Sequence, residues 1–102
     1  MIEATSTAQT ASASKYLQQL CKHFAHKVPA NWDALKGEVI FPFGLCRMEA
    51  NETCLTIRCE SDEEQHMERM KGVIDNHLER FAWRENLKLD WRTAEQGTVS
   101  AE

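Results

Sequence analysis

The 102-residue sequence lacks most of the features that identify a chemical activity or a subcellular location. It has no run approaching the roughly 18 apolar residues that a membrane-spanning helix needs, so we expect no membrane partner. Its start, MIEATSTAQTASAS, has neither a basic segment nor an apolar core. It is therefore unlike a secretory signal, and we expect a cytoplasmic protein. The net charge is −4 with both signs mixed along the chain, so we expect no nucleic-acid partner.

The signatures of catalysis are missing as well. There is no glycine-rich phosphate loop, no serine in a nucleophile-elbow context and no HExxH zinc motif. We therefore name no catalytic residue, predict no cofactor and favour a non-enzymatic protein. The four cysteines include no CxxC pair. We expect them to be small buried hydrophobic side chains rather than a disulfide framework.

The first third of the chain predicts a strand followed by a helix. Residues 2–10 alternate between small apolar and polar side chains, which is a weak strand pattern. Thr10 or Ser12 can then cap a helix that runs to about Lys27 with apolar residues at helical spacing. Val28-Pro29 ends this helix, because the residue before a proline avoids helical geometry. Residues 30–37 predict a loop.

Three strands are predicted next. Residues 38–43 form one strand, and residues 45–50 and 53–60 form a hairpin around Asn51-Glu52. In this register Met48 faces Leu55 and Cys46 faces Ile57. The alternation directs one set of side chains towards the core: Cys46, Met48, Ala50, Leu55, Ile57 and Cys59.

A second helix and a last strand complete the pattern. Ser61 and Glu64 have the spacing of a capping box, and the helix that follows should reach about Ala82. Residues 87–92 alternate cleanly and predict the final strand. We expect one domain over residues 1–93 and a flexible C-terminal tail over residues 94–102.

The element order is therefore β-α-β-β-β-α-β, which predicts an α+β fold. Two amphipathic helices need a single apolar surface to cover, and alternating strands offer it on one face only. We expect a two-layer sandwich with a mainly antiparallel sheet and both helices on one face. The other face would be open to water or to a partner.

Three histidines are candidates for a functional site. On the first helix His23 lies on the flank of the apolar stripe that also carries Tyr16, and His26 lies almost opposite the stripe. On the second helix His77 is only about 40° from the centre of the stripe and should be part-buried. One interpretation of His77 is a core histidine bonded to the backbone. The other is a pair with His23 that binds an ion, a haem edge or a carboxylate.

The segments around these histidines resemble a known bacterial family. They read YLQQLCKHFAHK from Tyr16 to Lys27 and HLERFAWRE from His77 to Glu85, with a closing Trp91. These motifs are similar to those of the family named domain of unknown function 2218, from about Ala4 to Arg92. Similar domains occur joined to siderophore-interacting flavin reductases. The resemblance thus implies an accessory role in iron handling, with such a reductase or a small anionic ligand as partner.

Three hypotheses follow from this sequence. The first is a non-enzymatic binding or accessory module with these candidate ligand-binding residues: His23, His77, Tyr16, Lys22, Arg80 and Arg84. The second is a metal or haem protein, with iron, zinc or haem held by candidates among His23, His26 and His77. The third is a structural or self-associating module that uses the open sheet face. The polar side chains expected on that face favour a monomer or a weak dimer.

Overall fold

A computed structural model describes residues 2–87 and 89–95 of the chain. Six strands and two helices follow one another in the order β1 Ile2–Gln9, α1 Ala13–Phe24, β2 Ala30–Trp32, β3 Lys36–Phe41, β4 Gly44–Ala50, β5 Cys54–Ser61, α2 Glu64–Phe81 and β6 Arg92–Glu95. The predicted α+β class and the predicted order of elements are confirmed, with β2 as an additional strand.

The strands form a single sheet in the order β2-β3-β4-β5-β1-β6, and each adjacent pair is antiparallel. Helix α1 packs over β2, β3, β4 and β5, and α2 packs over β4, β5 and β1. The two helices also contact each other. Because both lie on one face of the sheet, the C-terminal end of α1 lies beside α2.

The alternation along β4 and β5 decides which side chains enter the core. All the predicted inward-facing residues are buried: Cys46, Met48, Ala50, Leu55, Ile57 and Cys59. The opposite face is polar, with Arg47 paired to Glu38 at 3.3 Å and to Glu60 at 3.9 Å. Burial of one face therefore follows from the period of two residues in a strand.

The predicted hairpin register is wrong by two residues. Met48 pairs with Ile57, Cys46 pairs with Cys59, and Ala50 pairs with Leu55 rather than with Thr53. The turn is longer than expected because the Asn51 side-chain oxygen accepts bonds from the backbone N–H groups of Thr53 and Cys54, both at 2.8 Å. A shift of two residues keeps every side chain on its predicted face.

The helices begin differently from the prediction. Neither Ser12 nor Glu63, the residues before the first turns, makes a side-chain capping bond. The Thr10 hydroxyl accepts from the backbone N–H of Ser12 at 3.0 Å, so it fixes the approach to α1. The Ser61 hydroxyl donates to the Phe43 carbonyl at 2.9 Å, and Ser61 is the last residue of β5. The predicted capping box is therefore wrong.

Two more segments differ from the prediction. Residues 30–37 contain the short strand β2 and a turn in which the Asp33 carboxylate accepts from the N–H groups of Leu35 and Lys36. The last strand, β6, begins at Arg92 rather than at residue 87. The alternating Leu87, Leu89 and Trp91 instead pack part-buried against the core. Of the predicted tail, residues 94 and 95 belong to β6, and residues 96–102 lie outside the described residues.

Within the described part of the chain, neither helix combines the length and the apolar character that crossing a bilayer requires.

A substitution at Gly44 tests how closely α2 packs against the sheet. A Cβ atom at this position would lie 2.5 Å from the Glu60 carbonyl oxygen and would also meet the Met70 methyl group. We expect Gly44→Ala to lower the free energy of unfolding in urea by about 2 kcal/mol. Gly72→Ala is the control, because a Cβ there meets nothing within 4 Å in the middle of α2. It should raise stability by about 1 kcal/mol, and a Gly44→Ala variant as stable as wild type would contradict this packing.

Cysteine reactivity tests the predicted burial. Burial raises the pKa of the Cys21 thiol to about 11, and a hydrogen bond with Cys59, together with burial, raises the pKa of Cys46. Cys54 alone of the four is part-exposed. We expect one fast-reacting thiol in the native protein with a colorimetric disulfide reagent, lost in Cys54→Ser, and four after unfolding. Rapid reaction of a second thiol in the native state would show that the core is open.

Candidate functional site

The end of α1 and the end of α2 bring two histidine rings into contact. The ring centroids of His23 and His77 are 4.5 Å apart, and the ring planes are tilted by 48°. His23 lies in the last turn of α1, and His77 lies about one turn before the end of α2. The pair anticipated as one interpretation of His77 is thus present in the fold, although 54 positions separate the two residues.

The backbone fixes the protonation state of one nitrogen of His77. Its Nδ1 lies 2.6 Å from the Val73 carbonyl oxygen. Because a carbonyl oxygen only accepts hydrogen bonds, Nδ1 must carry the proton and donate it. In the neutral ring the lone pair then lies on Nε2. The backbone bond expected of a core histidine and the contact with His23 are therefore both present, and whether the pair binds a ligand stays a prediction.

His23 lies in an environment that disfavours a positive charge on its ring. His23 is exposed as a residue, but the rings packed against one side of it remove some of its water and lower its pKa below the ordinary value of 6.5. The positive charges of His77, His26, Lys27 and Arg80 lower the pKa further. Each of these neighbours disfavours a charge on the ring. His23 is therefore mainly neutral near pH 7, and any nearby anion would shift its titration upwards.

These histidines border a cavity of about 460 Å³ between the end of α1, the β3–β4 turn and the middle of α2. Its apolar wall is formed mainly by Phe24, Phe41 and Phe43. Basic side chains form the other wall: His23, His26, Lys27, Arg69 and His77. Within residues 2–87 and 89–95, no carboxylate lines the cavity. We call this cavity the histidine pocket.

Tyr16 has a different role from the one predicted for a ligand-binding residue. It is buried, and its hydroxyl donates a hydrogen bond to the Glu85 carboxylate, which also accepts from the Thr10 hydroxyl at 2.8 Å. The bond to Glu85 raises the pKa of Tyr16 to about 12, and the two bonds lower the pKa of Glu85. Tyr16 thus connects α1 to the segment that follows α2, and it does not line the histidine pocket.

The three predicted cationic residues also lie away from the pocket wall. Lys22, Arg80 and Arg84 are exposed, and the Arg84 guanidinium lies over the Trp83 ring at 5.1 Å. Arg80 is close enough to His23 to affect its pKa. The sequence interpretation missed Lys27 and Arg69 as the pocket's cations. Arg69, Val73 and His77 are spaced by four residues along α2, so helical periodicity contained a signal that could have found Arg69.

The three histidines proposed as metal ligands do not converge. Among the described residues, one group of three metal-ligating side chains has all its donor atoms within 4.8 Å, and it consists of Asp62, Glu63 and His66. Asp62 and Glu63 are exposed, at the start of α2. His23 and His77 therefore form a pair without a third ligand from this part of the chain.

This geometry defines a class of protein. It is a small α+β sandwich with a cationic pocket between its two helices and the β3–β4 turn. The sequence profile of a family described as "Uncharacterized protein conserved in bacteria (DUF2218)" matches residues 5–92. The chain belongs to this bacterial family, as the motifs around His23 and His77 predicted.

A solved structure supports the same assignment. The NMR structure of PA4090 from Pseudomonas aeruginosa is similar to this chain with a TM-score of 0.77 and 30% sequence identity. The match covers 90% of this chain and 96% of that one. No curated protein matches the sequence significantly.

The pKa of His23 predicts how stability changes with pH. Because the folded-state pKa lies below 6.5, the unfolded chain takes up a proton first as the pH falls. The stabilisation that neutral His23 gives to the folded protein is complete above pH 6.5. It is lost as the pH falls through the lowered pKa of His23. We expect urea unfolding to show a smaller loss of stability between about pH 7.5 and about pH 5.5 in His23→Gln than in wild type.

The comparison isolates His23 because its charged neighbours are unchanged in the variant: His26, Lys27, His77 and Arg80. An identical pH dependence in the two proteins would contradict the environment described for His23.

Proposed function

We propose that this protein is a non-enzymatic binding module that holds a small organic anion in the histidine pocket. The observation that carries the proposal is the charge of the pocket wall. A chain with a net charge of −4 places Lys27, Arg69 and several imidazoles around one cavity, with no carboxylate among the described lining residues. Such a local excess of positive charge favours an anion over a neutral or cationic ligand.

The apolar part of the wall strengthens this preference. Phe24 and Phe41 are buried beside the imidazoles, so an anion in the pocket is partly shielded from water. Hydrogen bonds from charged donors gain strength where the local dielectric constant is low. A volume of about 460 Å³ falls within the range of small-molecule sites.

The family resemblance suggests which anions to try first. Siderophores and their building blocks are chelators rich in carboxylate or catecholate groups, and similar domains occur beside siderophore-interacting reductases. We therefore propose an accessory role in iron handling, with a chelator fragment as ligand and such a reductase as partner. The cationic wall of the pocket supports the choice of an anionic chelator.

Two matched double variants test this function. Calorimetric titration of 2,3-dihydroxybenzoate should show binding to the wild-type protein. The change Lys27→Gln with Arg69→Gln should weaken binding about tenfold or more, because two charged donors are lost. The change Lys22→Gln with Arg84→Gln removes the same residue types and the same net charge outside the pocket, and it should leave affinity within about twofold.

Equal weakening by the two double variants would show that general charge, rather than the pocket, attracts the ligand. Absence of binding to the wild-type protein by this and related organic anions would contradict the proposed function.

The same titration predicts a pH dependence. An anion beside His23 favours the protonated ring, so binding should be accompanied by proton uptake. We expect the affinity for 2,3-dihydroxybenzoate to increase between about pH 7.5 and about pH 5.5, because its carboxylate remains ionised over this range while His23 becomes protonated. The increase should be smaller in His23→Gln, and an unchanged increase in that variant would place the titrating group elsewhere.

A second candidate function is metal or haem binding by His23 and His77. The observation that favours it is the bond from His77 Nδ1 to the Val73 carbonyl, since histidines that bind metals usually donate their other ring nitrogen in this way. Titration with Zn²⁺, Fe²⁺ and haemin, together with metal analysis of natively purified protein, tests it. Binding lost in His77→Gln would support this function, and absence of metal and of any spectral change would contradict it.

A further inference from the structure

We infer that the histidine pocket selects planar aromatic carboxylates over aliphatic anions of the same size and charge. This inference rests on the proposed binding function and narrows its ligand class. The evidence is the arrangement of the rings in the pocket wall and the position of Arg69 over one of them.

Two phenylalanines at the β3–β4 turn present parallel ring faces. The Phe41 and Phe43 rings are 5.2 Å apart with only 16° between their planes. Phe41 is buried and Phe43 is part-exposed, and both line the pocket. A flat aromatic ligand that reaches the exposed part of this pair gains attraction beyond the burial of apolar area, because aromatic rings attract one another in offset and edge-to-face arrangements.

The remaining rings present edges as well as faces. Phe24 meets Phe41 at 74° and a centroid distance of 5.2 Å, and it meets the His77 ring at 62° and 5.1 Å. Ring edges carry partial positive charge, which attracts the electron-rich face of an aromatic ligand. A saturated ring has no such face and gains only apolar contact.

The Arg69 guanidinium can contact both the aromatic wall of the pocket and the charged group of a ligand. It lies over the Phe43 ring at 4.9 Å from the centroid. A guanidinium group is planar and can bind a carboxylate while it remains stacked on a ring. An aromatic carboxylate, whose charge lies in the plane of its ring, can therefore contact Phe43 and Arg69 together.

The turn that carries Phe43 is held in place before a ligand arrives. The Ser61 hydroxyl donates to the Phe43 carbonyl at 2.9 Å, and Gly44 packs closely against the Glu60 carbonyl. A fixed wall reduces the entropy that is lost on binding. The volume of about 460 Å³ accommodates one ring or two fused rings.

Benzoate and cyclohexanecarboxylate test this inference, because they share charge and carbon number and differ in aromaticity. We expect benzoate to bind the wild-type protein about fivefold more tightly in calorimetric titrations, and 2-naphthoate more tightly still. Phe43→Leu keeps the wall apolar but removes the stack, so it should weaken the preference for benzoate, and an unchanged preference in this variant would contradict the inference. Trp83→Leu is the control, because the Trp83 ring is exposed and does not line the pocket, and it should keep the preference.

The outcomes separate this inference from the proposed function. Equal affinities for benzoate and cyclohexanecarboxylate in the wild-type protein would overturn the aromatic selection while leaving anion binding intact. Failure of both carboxylates to bind, with no binding of 2,3-dihydroxybenzoate, would overturn the proposed function and this inference together. If Phe43→Leu does not fold, the ligand pair on the wild-type protein still decides the result.

Discussion

Packing of two helices side by side on one apolar sheet face is the constraint on which the rest of this molecule depends. Strands β3, β4, β5 and β1 each expose every second side chain to that face, and the apolar area they offer is large enough for both helices. Leu17 and Leu20 of α1 and Met70 and Ile74 of α2 are fully buried there. Once both helices are placed in this way, the start of α1 lies near the segment that follows α2, and the end of α1 lies beside α2.

Two interactions between the helices then define the site. Tyr16 near the start of α1 bonds to Glu85 beyond α2, and His23 in the last turn of α1 contacts His77. The two family motifs therefore contribute residues to one interface. Tyr16 and Glu85 hold the interface at one end, so the His23–His77 end is free to border a cavity.

The chemistry of the site follows from partial burial. The Val73 carbonyl fixes the proton of His77 on Nδ1, and loss of water around the ring, together with the cationic surroundings, lowers the pKa of His23. Lys27 and Arg69 supply permanent positive charge to the same wall. The permanent cations, the titratable imidazole and the aromatic rings of this pocket support the proposal that it binds an organic anion reversibly.

The sequence predicted this arrangement where a repeating physical rule applied. Inward-facing residues such as Cys46 and Ile57 were predicted correctly, because the period of a strand survives a register shift of two. The register itself depended on a local side-chain bond of Asn51, and the start of α2 depended on the tertiary bond of Ser61, so neither could be derived from periodicity. The pocket residues Phe41 and Phe43 come from the β3–β4 turn and Arg69 comes from α2, and only the fold shows that they meet.

Proximity of the two imidazoles is the central claim, and nuclear Overhauser spectroscopy of the labelled protein tests it most directly. We predict cross-peaks between the ring protons of His23 and His77, and between His77 and the Phe24 ring, because the centroids lie 4.5 Å and 5.1 Å apart. Absence of these cross-peaks in a folded sample, with His23 in contact only with its own helix, would contradict the account.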